Sequence, residues 1–218
     1  AIYFTPYESI SPETLKYVKL LSIALSVLGF VFRAYAIGTT PKGTSGRNTK
    51  EQVANVLNST GVYSIVRHPL YLGNYFMWIG IVVFVGNFSF FVICSLLFWL
   101  YYERIMFAEE RFLEKKFGQD YLDWSLKASA FIPNFGKFIA STTPFSLKTV
   151  LRREYSGVLA TVIGFIFVEI LRNYFQFHQF ILGEKYILVL VATAAAALIL
   201  RTLKHSTKIL SDDEALRD

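Results

Sequence analysis

Residues 61–86, GVYSIVRHPLYLGNYFMWIGIVVFVG, place an arginine, a histidine and a proline directly before a long apolar run. Proline is common at the first position of a helix, where its missing N–H would have no partner in any case. An uncharged run of this kind is suited to the hydrocarbon of a bilayer. The stretch therefore predicts a membrane helix that begins at Pro69, with Arg67 and His68 where lipid begins.

The composition indicates a membrane protein. The chain has 218 residues, of which 54% are hydrophobic and 17% are charged, whereas soluble domains are about 25% charged. The net charge of +6 is explained by basic loops beside a membrane, so no nucleic-acid partner is expected. Cys94 is the single cysteine, which excludes a cysteine metal cluster, and no metal is expected.

Five segments are candidate membrane spans, because a helix needs roughly 20 apolar residues to cross the hydrocarbon. The second and third are separated only by Gly86 and Asn87, which predicts a tight helical hairpin over residues 69–107. The sequence thus predicts an all-α integral membrane protein with about five transmembrane helices, near residues 15–37, 69–86, 88–107, 155–175 and 185–203.

The basic residues predict the orientation. With five spans, one side of the membrane receives only Lys16, Lys19, Arg172 and Lys185 of the 22 lysines and arginines. The side rich in lysine and arginine is normally cytoplasmic. We therefore expect the N-terminus outside, and the C-terminus, the long loops and any pocket near His68 on the cytoplasmic side.

Polar and aromatic side chains surround the predicted start of the second span. Free backbone N–H groups at a helix N-terminus favour an anionic group such as a carboxylate, and Gly73 is expected to leave a gap for a flat ligand. In the simpler alternative, Arg67 reaches the headgroups, His68 lies at the interface and Pro69 merely starts a helix. The residues that support a binding site are Tyr63, His68, Tyr71, Gly73 and Asn74.

Glu109 and Glu110 follow the third span, and the hairpin returns them to the membrane face that carries His68. Adjacent carboxylates beside a membrane are costly unless they are solvated or paired with cations. We expect them to contribute to the same site, with Glu110 as a catalytic residue. The alternative is that Glu110 pairs with Arg111 or Lys115 in water.

At these residues the chain resembles the isoprenylcysteine carboxyl methyltransferase family, which shares a cofactor-binding core with phospholipid N-methyltransferases. The resemblance covers residues 48–135 and is carried by GVYSIVRHPLYLG, ERIMFAEERFLEKKFGQDYLDW and FIP. It implies a prokaryotic member that binds S-adenosylmethionine on the cytoplasmic side. It also implies a lipid or lipidated substrate within the bilayer.

The resemblance implies a set of cofactor-binding residues, in which Glu109 meets the positive end of the cofactor and residues 55–58 close over it. A methyl sulfonium is already activated, so a dry pocket and compensation for shifting charge matter more than a strong base. The expected cofactor-binding residues are Asn55, Val56, Leu57, Asn58, Tyr63, Arg67, His68, Pro69, Leu70, Tyr71, Gly73 and Glu109.

Two arginines are candidates for substrate recognition. Arg104 is expected to orient an anionic nucleophile as a catalytic and substrate-binding residue, although simple snorkelling to the headgroups is the alternative. Arg47 lies in the glycine- and hydroxyl-rich loop TTPKGTSGRNTK, residues 39–50. That loop is suited to a phosphate headgroup, or is a mobile basic loop near anionic lipid.

These observations predict a membrane methyltransferase that modifies an oxygen of a lipid-embedded carboxylate or phosphate. The alternatives are an amine headgroup as acceptor, a non-catalytic membrane protein, or a reductase of the related sterol type. We divide the chain into an N-terminal helix and loop (1–47), a methyltransferase core (48–135) and a C-terminal pair of helices (136–218). The C-terminal part shows no motif, although Glu169 and Arg172 are spaced to pair on one helical face.

Overall fold

The computed structural model describes residues 1–41 and 54–210, and within those residues the chain is helical, with two isolated β-bridges and no strand. All five segments predicted to span the membrane are helices. The α-helices are α1 (Pro12–Gly38), α2 (Pro69–Phe84), α3 (Phe88–Phe117), α4 (Gln119–Ser125), α5 (Leu147–Phe177) and α6 (Glu184–Ser206).

The predicted class, an all-α integral membrane protein, is confirmed. The helices α1, α3, α5 and α6 are long and apolar enough to cross a bilayer, whereas α2 has 16 residues. At 1.5 Å per residue α2 is shorter than the hydrocarbon core. The number of crossings, five, therefore stays a prediction.

The predicted hairpin forms because its ends have suitable residues. Pro69 is the first residue of α2, as expected, and Asn87 caps α3 by accepting a hydrogen bond from the Phe90 N–H at 2.9 Å. Gly86 has a φ of 75°, a conformation that glycine adopts without steric cost. The chain therefore reverses between α2 and α3 within the three residues 85–87.

The main packing partner of α2 is α1, through small residues on both helices. A Cβ atom on Gly73 would lie 2.8 Å from the Gly29 carbonyl oxygen and would collide with the Arg33 side chain. The gap that we expected Gly73 to leave for a flat ligand is filled by Arg33. Gly73 instead allows the two backbones to approach closely, as small residues do between membrane helices.

At the other end of the bundle, charged residues join α5 to α1 and to the end of α2. The predicted pair of Glu169 and Arg172 is confirmed, with 2.7 Å between the carboxylate and guanidinium atoms. Lys19 on α1 reaches Glu169 at 3.3 Å, and Arg172 also donates to the Phe84 carbonyl at the end of α2. These contacts fix the end of the bundle that is remote from His68.

Candidate active site

A compact polar cluster joins the start of α2 to the end of α3. Glu110 Oε1 accepts hydrogen bonds from Arg67 Nε and His68 Nε2, both at 2.8 Å. The Arg67 guanidinium also donates to the carbonyls of Ser125 and Ala128 at 2.8 and 3.0 Å, so it ties the end of α4 to the same point. Glu109 and Glu110 therefore lie next to Arg67 and His68, as expected from the predicted hairpin. Glu110 pairs with Arg67 and His68 and not with Arg111 or Lys115.

His68 lies between two carboxylates and is buried. Its Nδ1 atom is 3.7 Å from Glu109 Oε2, while Nε2 bonds to Glu110. Burial acts to lower the pKa of His68, but the hydrogen bonds and negative charges of Glu109 and Glu110 outweigh it, so the pKa rises above 6.5. The protonated imidazolium is favoured because its positive charge lies between the two carboxylates.

Glu109 has an oxygen in need of a partner. Its Oε2 atom is buried and has no hydrogen-bond partner among residues 1–41 and 54–210. A buried carboxylate oxygen normally accepts a hydrogen bond, because leaving it bare costs free energy. The Glu109 carboxylate is therefore suited to an ammonium group of a bound molecule, which is the role that the family resemblance implies for Glu109.

Aromatic rings line the approach to these carboxylates. The Tyr71 ring stacks on His68 with 5.6 Å between centroids. Burial raises the pKa of the Tyr63 phenol, and the negative charge of Glu109 raises it further. Aromatic faces attract cations such as a sulfonium. The structure thus brings Tyr63 and Tyr71 together with Glu109, as the sequence predicted.

The segment before Tyr63 packs against α4. Leu57 contacts the buried cluster of Tyr121, Trp124 and Ala128, to which Tyr63 also belongs at its edge. Asn55 and Val56 are exposed and Asn58 is half-buried. Their expected closure over a cofactor stays a prediction. Leu70 contributes its carbonyl oxygen to Arg33 at 3.4 Å, so this part of α2 faces α1.

A second buried polar group, which the sequence pattern did not predict, lies beside this cluster. Arg33 forms a two-bond ion pair with Glu154 of α5, at 2.7 and 2.6 Å, and donates to Asn74 Oδ1 at 2.6 Å. The sequence contains the information for this pair, because Arg33 and Glu154 are opposite charges beside apolar runs. Such charges pair across a helical bundle.

A cavity of about 900 Å³ lies between α2, α3 and α5. Arg33, Asn74 and Tyr102 line its polar end, and the remaining wall is largely apolar. Trp78 and Phe167 also line it while being 64% and 60% exposed, so the cavity opens sideways at the surface that lipid covers. The Tyr102 ring lies 5.1 Å from Tyr71 between centroids, which connects the polar end to the His68 cluster.

Arg104, one of the two arginines expected to bind substrate, does not line this cavity. Arg104 is exposed and has no ion pair or hydrogen bond with any part of the chain that the structure describes. On a helix it points about 160° away from Tyr102, which faces the cavity. Its expected catalytic and substrate-binding role stays a prediction. Arg47 lies outside the described residues.

Comparison with known proteins matches about half of the chain. Residues 18–120 match a family model described as phospholipid methyltransferase. The protein-S-isoprenylcysteine O-methyltransferase of Schizosaccharomyces pombe is 30% identical over 115 residues, 50% of this chain and 48% of the relative. The protein of the same name from Saccharomyces cerevisiae is 32% identical over 119 residues, 54% of this chain and 50% of the relative.

A relative with a different name matches a similar length. The nickel-cobalt-cadmium resistance protein NccN of Alcaligenes xylosoxydans xylosoxydans is 28% identical over 126 residues, 58% of this chain and 53% of the relative. Within residues 1–41 and 54–210, no group of three or more His, Cys, Asp or Glu side chains is arranged to hold a metal ion. No solved structure matches the chain significantly.

Fold and comparisons together define a helical integral membrane protein that is similar over about half of its length to known methyltransferases. The resemblance predicted from the motifs is confirmed: residues 18–120 match phospholipid methyltransferases, and about half of the chain is similar to isoprenylcysteine O-methyltransferases. The matched segment begins within α1, which packs along α2, and ends before α5. The chain spans about half the length of the curated relatives it matches.

Proposed function

We propose that this protein transfers a methyl group from S-adenosylmethionine to an anionic oxygen of a lipid-embedded acceptor, a carboxylate or a phosphate. The observation that carries the proposal is the Glu109 carboxylate, whose buried Oε2 atom accepts no hydrogen bond from the described residues and lies 3.7 Å from His68 Nδ1. S-adenosylmethionine supplies an activated methyl group on a sulfonium. The proposal places the site on the cytoplasmic side, as the distribution of basic residues predicts.

The residues of the cluster fit this cofactor. Glu109 would accept from its ammonium group, and the rings of Tyr63 and Tyr71 would face positive charge. Arg67 and His68 hold Glu110 and thereby fix the start of α2 against the end of α3. In this account Glu110 positions the site and does not itself react.

The protonation state of His68 supports an oxygen acceptor over an amine. An ammonium headgroup must lose a proton before it attacks, which requires a base. His68, the one histidine in the cluster, is engaged by carboxylates at both ring nitrogens and its pKa is raised. A carboxylate or phosphate is nucleophilic without losing a proton, so the site needs no further base.

The cavity supports a lipid acceptor. Its apolar wall suits a hydrocarbon chain, and its polar end, at Arg33, Asn74 and Tyr102, lies next to Tyr71. A chain that enters sideways from the bilayer would place its headgroup beside the cofactor cluster. We propose that the hydrocarbon chain of the acceptor occupies this cavity.

The test is methyl transfer to lipid. Membranes with and without the full chain are incubated with methyl-labelled S-adenosylmethionine, and the lipid extract is separated by anion exchange. Methylation of an oxyanion removes one negative charge, so labelled product should elute earlier than its parent lipid. Label in a lipid that keeps its anionic charge would support amine methylation instead. Absence of labelled lipid would overturn the proposal.

A further inference from the structure

The polar end of the cavity contains a chain of hydrogen bonds whose direction is fixed. Arg33 has only donors, so the Asn74 atom that lies 2.6 Å from its guanidinium must be the amide oxygen. Glu154 holds the other side of the Arg33 guanidinium with two bonds. The orientation of the Asn74 amide is therefore set by a buried ion pair.

That orientation decides what Tyr102 does. With its oxygen directed to Arg33, Asn74 presents its Nδ2 amide group to the Tyr102 hydroxyl at 3.2 Å. Tyr102 Oη accepts this bond, so its own proton is left to donate elsewhere. Among residues 1–41 and 54–210 no oxygen receives that proton.

The position of Tyr102 gives the free proton a direction. Its ring is held between Phe98, at 4.1 Å between centroids, and Tyr71, at 5.1 Å. The residue lines the cavity beside Arg33 and Asn74. The Tyr102 hydroxyl therefore lies at the polar end of the cavity, on the side where Tyr71 and the His68 cluster are found.

We propose that Tyr102 is a specificity-determining residue that donates a hydrogen bond to an oxyanion, carboxylate or phosphate, at the head of a lipid in the cavity. Glu154 and Arg33 act as positioning residues, because through Asn74 they direct the proton of Tyr102 into the cavity. Glu154 belongs to α5, which lies beyond the segment matched by the family. This inference rests on the proposed function, from which it takes a lipid acceptor in the cavity. It concerns lipid binding, however, and does not require methyl transfer.

The experiment measures binding of single-chain lipids to the purified full chain in a neutral detergent. The probes are hexadecyl phosphate, hexadecanoate and hexadecylamine, which share a tail and differ in the head. Loss of one hydrogen bond to a charged group lowers affinity roughly tenfold to a hundredfold. Tyr102→Phe should weaken the binding of both oxyanion probes by that factor and leave the binding of hexadecylamine unchanged. The probe with the larger loss of affinity identifies phosphate or carboxylate as the preferred headgroup.

Two further variants make the test specific. Tyr101→Phe is the matched control, since Tyr101 also lines the cavity, and it should bind all three probes as the wild type does. Asn74→Asp keeps an acceptor for Arg33 and offers a second acceptor to Tyr102, which turns its proton away from the cavity. Adding Tyr102→Phe to Asn74→Asp should then cause no further loss.

Any of three results would overturn the inference. These are unchanged oxyanion binding in Tyr102→Phe, a loss of oxyanion affinity in Tyr101→Phe equal to that in Tyr102→Phe, or a loss of affinity in the Asn74→Asp, Tyr102→Phe double variant that is the product of the two single losses. Titration with S-adenosylhomocysteine is carried out on the same samples. If the oxyanion effects occur but the cofactor product does not bind, the proposed function fails while the role of Tyr102 stands.

Discussion

His68 Nε2 lies 2.8 Å from Glu110 Oε1, so a histidine at the start of α2 is bonded to a carboxylate near the end of α3. The two residues are 42 positions apart in the chain. The contact closes the hairpin at its polar end and presents the neighbouring Glu109 to the same imidazole.

The first prediction concerns pH. Because the folded-state pKa of His68 is raised above 6.5, its contribution to stability is fully present below about pH 6.5 and is lost as pH rises through the folded value. His68→Gln should therefore lower the midpoint of thermal unfolding more at pH 6 than at pH 9, measured in one detergent. If the difference in unfolding midpoint between His68→Gln and the wild type grew toward pH 9, the protonated His68 between two carboxylates would be contradicted.

The second prediction concerns the buried ion pair. Arg33→Gln or Glu154→Gln alone leaves one buried charge without its partner, a change that typically costs about 3–5 kcal/mol. The double variant Arg33→Gln with Glu154→Gln should recover most of the unfolding midpoint, since two amides can bond to each other. The matched control is the exposed pair Arg111 and Glu114, 3.5 Å apart, whose double Gln variant should unfold as the wild type does. If the double variant lost as much in unfolding midpoint as the two single variants together, the pairing of Arg33 with Glu154 would be refuted.

The third prediction concerns the α1–α2 contact. A Cβ atom on Gly80 would lie 2.5 Å from the Ser22 carbonyl oxygen, so Gly80→Ala must push the helices apart. Overpacking of this kind costs about 1–3 kcal/mol. Gly136→Ala is the control, since the nearest atom to its Cβ would be 3.4 Å away. Equal unfolding midpoints for the two variants would show that α1 and α2 do not pack this closely.

The sequence predicted the class, the helices and the meeting of Arg67, His68 and Glu110, because apolar length, Pro69 and the short turn each leave few alternatives. It did not predict which way individual side chains point. Gly73 faces α1 and Arg104 faces away from the cavity, and both directions depend on how helices pack, which residue types alone do not specify. Arg33 and Glu154 are 121 positions apart, and their pairing follows only from the position of α5.

The fourth prediction concerns orientation. In a Cys94→Ser background, a cysteine placed at Asn58 should react with a membrane-impermeant thiol reagent only from the cytoplasmic side. A cysteine at Gly183, which precedes α6, should react only from the outside, because the side rich in lysine and arginine is cytoplasmic. Cytoplasmic labelling at Gly183 would refute five crossings with the C-terminus inside.

The central claim is that Glu109 receives the positive end of S-adenosylmethionine, and the most direct test is calorimetric titration with S-adenosylhomocysteine, which carries the same amino acid part. Glu103→Gln is the matched control, because Glu103 is an exposed glutamate on the same helix.

We predict that the wild type and Glu103→Gln bind S-adenosylhomocysteine equally and that Glu109→Gln binds it at least about tenfold more weakly, as expected for loss of a charge-assisted hydrogen bond. A nicotinamide dinucleotide should give no binding heat. Absence of wild-type binding, or equal affinity in Glu109→Gln and Glu103→Gln, would contradict the account.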